Sequence, residues 1–216
     1  VLDDVDEAQI DRLFEHGHMP VDELDLPRPS GNHFFILKHK KKSILSKYDP
    51  RTNMVNRVEK QHVFGISPKN AEQTLAMAAL LDPEIKLVTL QGAAGTGKTL
   101  LALACALEQR RDYRQIYVTR PVVPLSNKDI GYLPGDIQSK LDPYMQPLWD
   151  NLKLIKGQFE KHDSTPKRID EMLENEKIAI ATHAYIRGRS LSNIFFIVDE
   201  AQNLTPLEVK TVISRA

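Results

Sequence analysis

Gly92-Ala93-Ala94-Gly95-Thr96-Gly97-Lys98-Thr99 follows the pattern G-x-x-x-x-G-K-[ST]. Its glycines let backbone N–H groups curl round phosphate oxygens, and the helix that must follow adds its positive end. Lys98 brings a point charge to the β- and γ-phosphates, and Thr99 brings a hydroxyl to Mg²⁺. The predicted nucleotide-binding stretch runs from Gly92 through Ala93, Ala94, Gly95, Thr96, Gly97, Lys98 and Thr99 to Leu100. Its flanks suit it: Lys86-Leu-Val-Thr-Leu90 is an apolar β-rich run, and Leu100–Glu108 is an Ala/Leu helix.

The second constellation is Ile194-Phe-Phe-Ile-Val-Asp199-Glu200-Ala-Gln202-Asn203. An apolar strand ending in an acid is a Walker B element, so Asp199 is a metal-supporting residue. Glu200 is placed to orient and deprotonate an attacking water, which makes it, with Lys98, a candidate catalytic residue. Gln202 can sense the γ-phosphate, contact a polynucleotide, or simply face water. About twenty residues before the loop stands Asn70-x-x-Gln73. A glutamine amide pairs a donor with an acceptor, so Gln73 can read the N6/N7 edge of adenine; it can equally be a solvated helix residue.

Arginines supply weaker candidates. Arg120, in Thr119-Arg120-Pro121, ends a predicted strand on the edge where open α/β sheets bind ligands. Arg187 and Arg189, in Ile-Arg-Gly-Arg-Ser, precede the Walker B strand. All three suit phosphate forks or plain surface positions. Lys40, Lys41 and Lys42 lie among Phe34, Phe35 and Tyr48. Such a mixture binds single-stranded RNA by stacking plus charge, or guards an edge strand.

The elements that position these residues alternate. Asn70–Leu81 is predicted helical. Strands are predicted at Leu87–Leu90, Gln115–Thr119, Ile178–Thr182 and Ile194–Val198. Between them fall helices at Lys98–Arg110, one or two within Asp136–Phe159, and one at Pro166–Glu174. This is the βα alternation of a parallel sheet flanked by helices. Gly131-Tyr-Leu-Pro-Gly135 and Asp142-Pro-Tyr144 read as structured loops. Thr205-Pro206-Leu207-Glu208 opens a last helix with a capping box. Upstream, residues 1–18 read as a helix, Pro20, Pro27 and Pro29 punctuate a linker, and three β-like runs follow at His33–Leu37, Ser43–Tyr48 and Met54–Val58. The expected organisation is a helical connector over 1–30, a small basic antiparallel sheet over 31–62, and a nucleotide-binding core over 63–216.

The 216 residues carry 29 basic and 29 acidic side chains, so net charge does not announce a nucleic-acid binder. The charge is nevertheless segregated: residues 1–26 hold nine acids and one base, whereas residues 27–60 hold nine bases and two acids. Such blocks suggest surfaces with different partners. The single cysteine, Cys105, excludes an intramolecular disulfide, fits a reducing compartment, and reads as buried filler on an apolar helix. No apolar run approaches the roughly 18–20 residues of a membrane span. The acidic start, Val1–Glu7, lacks the basic and apolar regions of a signal peptide. A beginning at Val in mid-pattern reads as a piece of a longer chain.

The ordered set Gln91–Thr99, Val118–Pro121, Gly131–Asp136, Asp142–Tyr144, Tyr185–Ser190 and Phe196–Asn203 resembles the PhoH family of P-loop ATPases from about residue 64 onward. The resemblance implies a RecA-like α/β fold, ATP and Mg²⁺ as ligands, and ATP hydrolysis coupled to RNA unwinding or decay. It also implies a bacterial cytoplasmic protein, a homo-oligomeric ring, and, from the preceding residues, a PIN ribonuclease domain placed N-terminally. Two rival activities stay open: a nucleotide-gated RNA-binding scaffold with negligible turnover, and a small-molecule kinase. By the same resemblance the sheet continues past the helix at Thr205 into a sensor strand. The expectation is therefore that these 216 residues bind nucleotide with little hydrolysis.

Overall fold

The computed structural model describes residues 1–24, 29–121, 137–160, 162–182 and 192–214. Two compact units emerge, one of residues 1–62 and 67–92 and the other of residues 63–66 and 93–216. The run 67–92, grouped by its pattern with the phosphate loop, thus clusters with the small sheet.

The first unit begins with extended chain. Leu2 exchanges backbone hydrogen bonds with Ile36 and Lys38, where a helix over 1–18 was expected. Helix α1 is confined to Glu7–His16; Asp6 caps it by accepting from the Ala8 N–H, and Gly17 ends it at φ +76°. An α-helix leaves its last carbonyls unpaired, and a left-handed glycine lets the chain fold back to one of them. Then comes an unexpected strand, β1, His18–Pro20. Strands β2 (Phe34–His39), β3 (Lys42–Asp49) and β4 (Met54–Arg57) match the three β-like runs. They form an antiparallel sheet in the order β1-β4-β3-β2. Pro20 hid β1 in the sequence, but a proline is tolerated on an edge strand because its missing N–H is not needed there.

Alternation decides which side chains are covered. Phe35 and Leu37 of β2, Ile44 and Tyr48 of β3, and Val55 of β4 are buried with Ile10 and Leu13 of α1. Phe35 and Tyr48 are therefore core residues and cannot stack on bases, which corrects that part of the RNA-stacking expectation. Helix α2, Ala71–Leu81, follows Asn70, whose side chain accepts from the Gln73 N–H. Lys47 of β3 pairs with Asp82 at the end of α2, and Arg51 lies 3.4 Å from Glu84. Burial alone would raise the Asp82 carboxyl, but the Lys47 ammonium and the Glu84 N–H more than offset it and hold it below the usual range.

In the second unit, β5 (Gln115–Arg120) lies between β6 (Ile178–Thr182) and β7 (Ile194–Val198), all parallel. Its Ile116, Tyr117, Val118 and Thr119 are all buried, the near-continuous pattern of a central parallel strand. Helix α3, Lys98–Glu108, is buried at every position from Leu101 to Leu107. Cys105 lies fully inside it, and burial, followed by the nearby Glu108, pushes its thiol up to about 12. Helix α4 (Ile137–Lys156) packs on α3, and its buried Met145, Leu148, Leu152 and Ile155 are spaced as one helical face. Pro143 and Pro147 lie within α4, so Asp142–Tyr144, expected as a loop, is helical. Helix α5 (Thr165–Glu174) and helix α6 (Pro206–Ile213) follow, α6 with the predicted capping box of Thr205 and Glu208.

One expected strand does not form. Leu87–Leu90 belongs to no strand, and Leu87 is exposed. A β-prone run becomes a strand only where a neighbour takes up its N–H and C=O groups, and among the described residues none does.

Candidate functional site

The phosphate loop is shaped by two left-handed glycines. Gly95 has φ +76°, and Gly97 has φ +83° where it caps α3. That region strains any side chain bearing a Cβ, so the chain spends glycine there. No side chain caps the start of α3. The first turn of a helix presents its N–H groups and the positive end of its dipole, the features that bind phosphate. The Thr96 hydroxyl donates to the Ala93 carbonyl at 2.9 Å and closes the loop. Lys98 folds back over it, donating from Nζ to the Ala93 carbonyl at 2.8 Å. A carbonyl holds the place that a phosphate oxygen would take at the ammonium.

The acids arrive from the other side. Strand β7 runs parallel to β5, with Thr119 opposite Val198. The Asp199 N–H donates to the Thr119 carbonyl at 2.8 Å, which extends the ladder one residue past the strand. Asp199 is thereby fixed at the carboxyl edge of the sheet, where open α/β sheets bind ligands. The Thr99 hydroxyl donates to Asp199 Oδ1 at 2.7 Å. This one bond joins the first turn of α3 to the end of β7 across 100 residues of chain. Among the described residues no group of three or more His, Cys, Asp or Glu side chains could hold a metal alone. Mg²⁺ is a hard cation that takes one or two protein oxygens and completes its shell with water and phosphate. The Thr99 hydroxyl and Asp199 carboxylate could supply such oxygens.

Glu200 follows in a left-handed conformation, φ +52° and ψ +41°. Such strain in a non-glycine residue recurs at functional sites. Gln202 donates to Glu200 Oε2. Gln202, read as a sensor, polynucleotide contact or solvent-facing residue, thus touches the candidate base. Arg120 also reaches both acids: Nη1 lies 3.5 Å from Asp199 Oδ2 and Nη2 lies 3.8 Å from Glu200 Oε1. Nothing in the spacing announced that pairing; its signal was Arg120's place at a strand end on the ligand-binding edge. Thr119 was not singled out at all, yet its carbonyl seats Asp199, and its buried hydroxyl has no hydrogen-bond partner among the described residues.

Other predicted residues belong to the first unit or fall outside the described residues. Gln73 belongs to the first unit, where its side-chain oxygen accepts from the Lys69 N–H at 2.7 Å. Lys40, at φ +49°, and Lys41 form the β2–β3 turn. Lys42 instead turns back onto α1, 2.8 Å from both Glu7 and Asp11. The acidic and basic blocks therefore partly neutralise each other, and the Lys42 ammonium is held above its usual range by Asp11 and then Glu7. Phe34 is half-buried, with the Lys47 ammonium 5.7 Å from its ring centre. Arg187, Arg189 and the Gly131–Gly135 loop lie outside the described residues.

Comparison with known proteins agrees with the site. The family model described as PhoH-like protein matches residues 65–216. Protein PhoH2 of Bacillus subtilis (strain 168) is 49% identical over 159 residues, covering 72% of this chain and 35% of that protein. Protein PhoH2 of Thermobispora bispora is 37% identical over 94% of this chain and 45% of its own length. Protein PhoH2 of Mycolicibacterium smegmatis is 36% identical over 98% of this chain and 47% of its own. The chain thus spans about half, or less, of the curated relatives it matches. Among the described residues no helix is long and apolar enough to cross a membrane. With a glycine-shaped phosphate loop bonded through Thr99 to an acid at the end of a parallel strand, and with a family match from residue 65 to 216, the chain belongs to the PhoH-like family of P-loop ATPases.

Proposed function

We propose that this chain is the ATP-binding and ATP-hydrolysing part of a cytoplasmic protein that couples hydrolysis to RNA remodelling. The observation that carries the hydrolytic reading is the 2.7 Å bond between Thr99 and Asp199, because it assembles phosphate loop and acid pair into one site. In this reading the Lys98 ammonium leaves the Ala93 carbonyl for phosphate oxygens, which the N–H groups of the first turn of α3 also meet. Thr99 and Asp199 would hold Mg²⁺, which would supply charge neutralisation at the phosphates. Glu200 accepts a proton from the water that attacks the γ-phosphorus. A small-molecule kinase would need a lid with arginines and a substrate cradle; the sequence offers the Asp199–Glu200 pair instead, which favours water as the nucleophile. Gln73 as adenine reader, ring assembly and a preceding ribonuclease domain belong to the same proposal and rest on the family resemblance.

The test is phosphate release from ATP by the protein, with Mg²⁺, in the presence and absence of single-stranded RNA. Release that RNA accelerates supports the reading. ATP binding without release on either arm would make the protein a nucleotide-gated scaffold. Transfer of phosphate to a small acceptor would make it a kinase.

For the RNA arm, the β2–β3 turn supplies the support: Lys40 and Lys41 are exposed at its tip, whereas Lys42 is engaged by Glu7 and Asp11. Each phosphate contact on a single strand contributes about 0.7 to the slope of log K against log salt. Lys40→Ser with Lys41→Ser is expected to flatten that slope by roughly 1.4. Lys42→Ser should change it far less. Equal slopes in wild type and the double variant would assign the turn to edge protection instead.

A further inference from the structure

Every carboxylate oxygen of the acid pair faces a donor of the protein. Asp199 Oδ1 accepts from the Thr99 hydroxyl, and Asp199 Oδ2 lies 3.5 Å from Arg120 Nη1. Glu200 Oε1 lies 3.8 Å from Arg120 Nη2, and Glu200 Oε2 accepts from Gln202. Two adjacent carboxylates repel each other, and desolvation strengthens that repulsion. Asp199 is only 13% exposed at its side chain and Arg120 only 23%, so water does little of the screening at this end of the pair. The planar guanidinium, with one nitrogen near each acid, does it instead.

We propose that Arg120 is the resident counter-ion of the Asp199–Glu200 pair and that it competes with the divalent cation for those acids. The inference rests on the Mg²⁺-nucleotide reading of the site and deepens it by adding a positioning residue. Without metal, Arg120 cancels charge that would repel incoming phosphates and keeps Glu200 engaged, so the base is idle. When metal is held at Asp199, the attraction of that carboxylate for the guanidinium falls, and Glu200 loses its cation and becomes available to water. Arg120 thus ties activation of the base to arrival of the metal with its nucleotide. Competition has a reciprocal signature: what weakens Arg120 must strengthen the metal.

The experiment titrates Mn²⁺, as a paramagnetic substitute for Mg²⁺, into the nucleotide-free protein and reads free Mn²⁺ by electron paramagnetic resonance. Arg120→Gln is expected to bind Mn²⁺ roughly tenfold more tightly than wild type, within the usual range of coupling between sites. Arg120→Lys, which keeps the charge, should return the affinity toward wild type. In parallel, the affinity for a fluorescent ADP is measured in Mg²⁺ and in EDTA. The Mg²⁺-to-EDTA ratio should rise by roughly tenfold or more in Arg120→Gln, because metal binding improves while metal-free binding loses its shield. A merely structural role would weaken both arms together and leave the ratio unchanged, and that result, or Mn²⁺ affinity equal to or below wild type, overturns the proposal. If Arg120→Gln does not fold, the wild type decides: the Arg120 side-chain N–H resonance should move with ADP plus Mg²⁺ and stay in place with ADP plus EDTA, and an unmoved resonance in both overturns it. The reading of the site itself fails in a distinguishable way, by wild type and Asp199→Asn binding Mn²⁺ and nucleotide identically.

Discussion

In Lys98→Ala, nucleotide affinity is expected to fall by two orders of magnitude or more and turnover to vanish. The ammonium is the charge that the loop sequence aims at the β- and γ-phosphates. Its contacts there are charge-assisted, each about 1.5–3 kcal/mol. Two such contacts correspond to roughly 10²–10⁴-fold in affinity. The folded state should hardly notice the change. In the nucleotide-free protein Nζ donates to the Ala93 carbonyl, 2.8 Å away, on an exposed loop where water can replace it. Titration of a fluorescent ATP analogue, alongside a thermal melt, separates the two effects. Wild-type affinity and turnover would remove the phosphate loop from the mechanism; a collapse in melting temperature would mean that Lys98 is structural.

What was legible in the sequence is what local conformation dictates. The glycines of the phosphate loop allow a tight turn, and Gly95 and Gly97 take it at left-handed φ. Thr205 and Glu208 must cap a helix together, and they do. The strands at 115, 178 and 194 were legible as short apolar runs set between helices, although only β5 among the three is buried nearly throughout. Pairing was harder. Leu87–Leu90 has the composition of a strand, but a strand is a relation between two segments, and among the described residues no partner meets it. Strand β1 was hidden for the opposite reason: Met19 and Pro20 look like linker until β4 pairs with them.

Side-chain roles failed where they depend on contacts distant in sequence. Phe35 lies two residues from Leu37 on one strand, so the core that claims Leu37 claims Phe35 too. The period of two was available in the sequence. Lys42 reads as one of three equal lysines until α1 folds against the sheet and presents Glu7 and Asp11. The opposite charges of residues 1–26 and 27–60 were the available sign that the two segments face each other. Arg120 is the clearest case. Motif spacing assigns acids to the end of β7 and an arginine to the end of β5, but only the parallel pairing of those strands brings them within 3.5–3.8 Å.

Glu200→Gln should separate binding from chemistry. The amide keeps the size of the carboxylate and an oxygen that accepts from Gln202, so the turn at φ +52° has no new reason to rearrange. Asp199 keeps its bond to Thr99 and its own proximity to Arg120, so the groups that hold nucleotide and metal are unaltered. What disappears is the capacity to take a proton from water. Loss of a positioned general base costs typically 10²–10⁴-fold, so single-turnover hydrolysis should slow by about that factor while nucleotide affinity stays within a few-fold of wild type. Removing one negative charge from the pair also leaves Arg120 with a single acid to neutralise, which works against any loss of affinity for anionic phosphates. Measured binding and hydrolysis on the same preparation decide the role. Slow hydrolysis with intact binding makes Glu200 the base, and loss of binding makes it part of the metal site. Unchanged hydrolysis would require another acceptor for the proton of the attacking water. Asp199, held by Thr99 on one oxygen and faced by Arg120 on the other, is the nearest carboxylate but is poorly placed to serve.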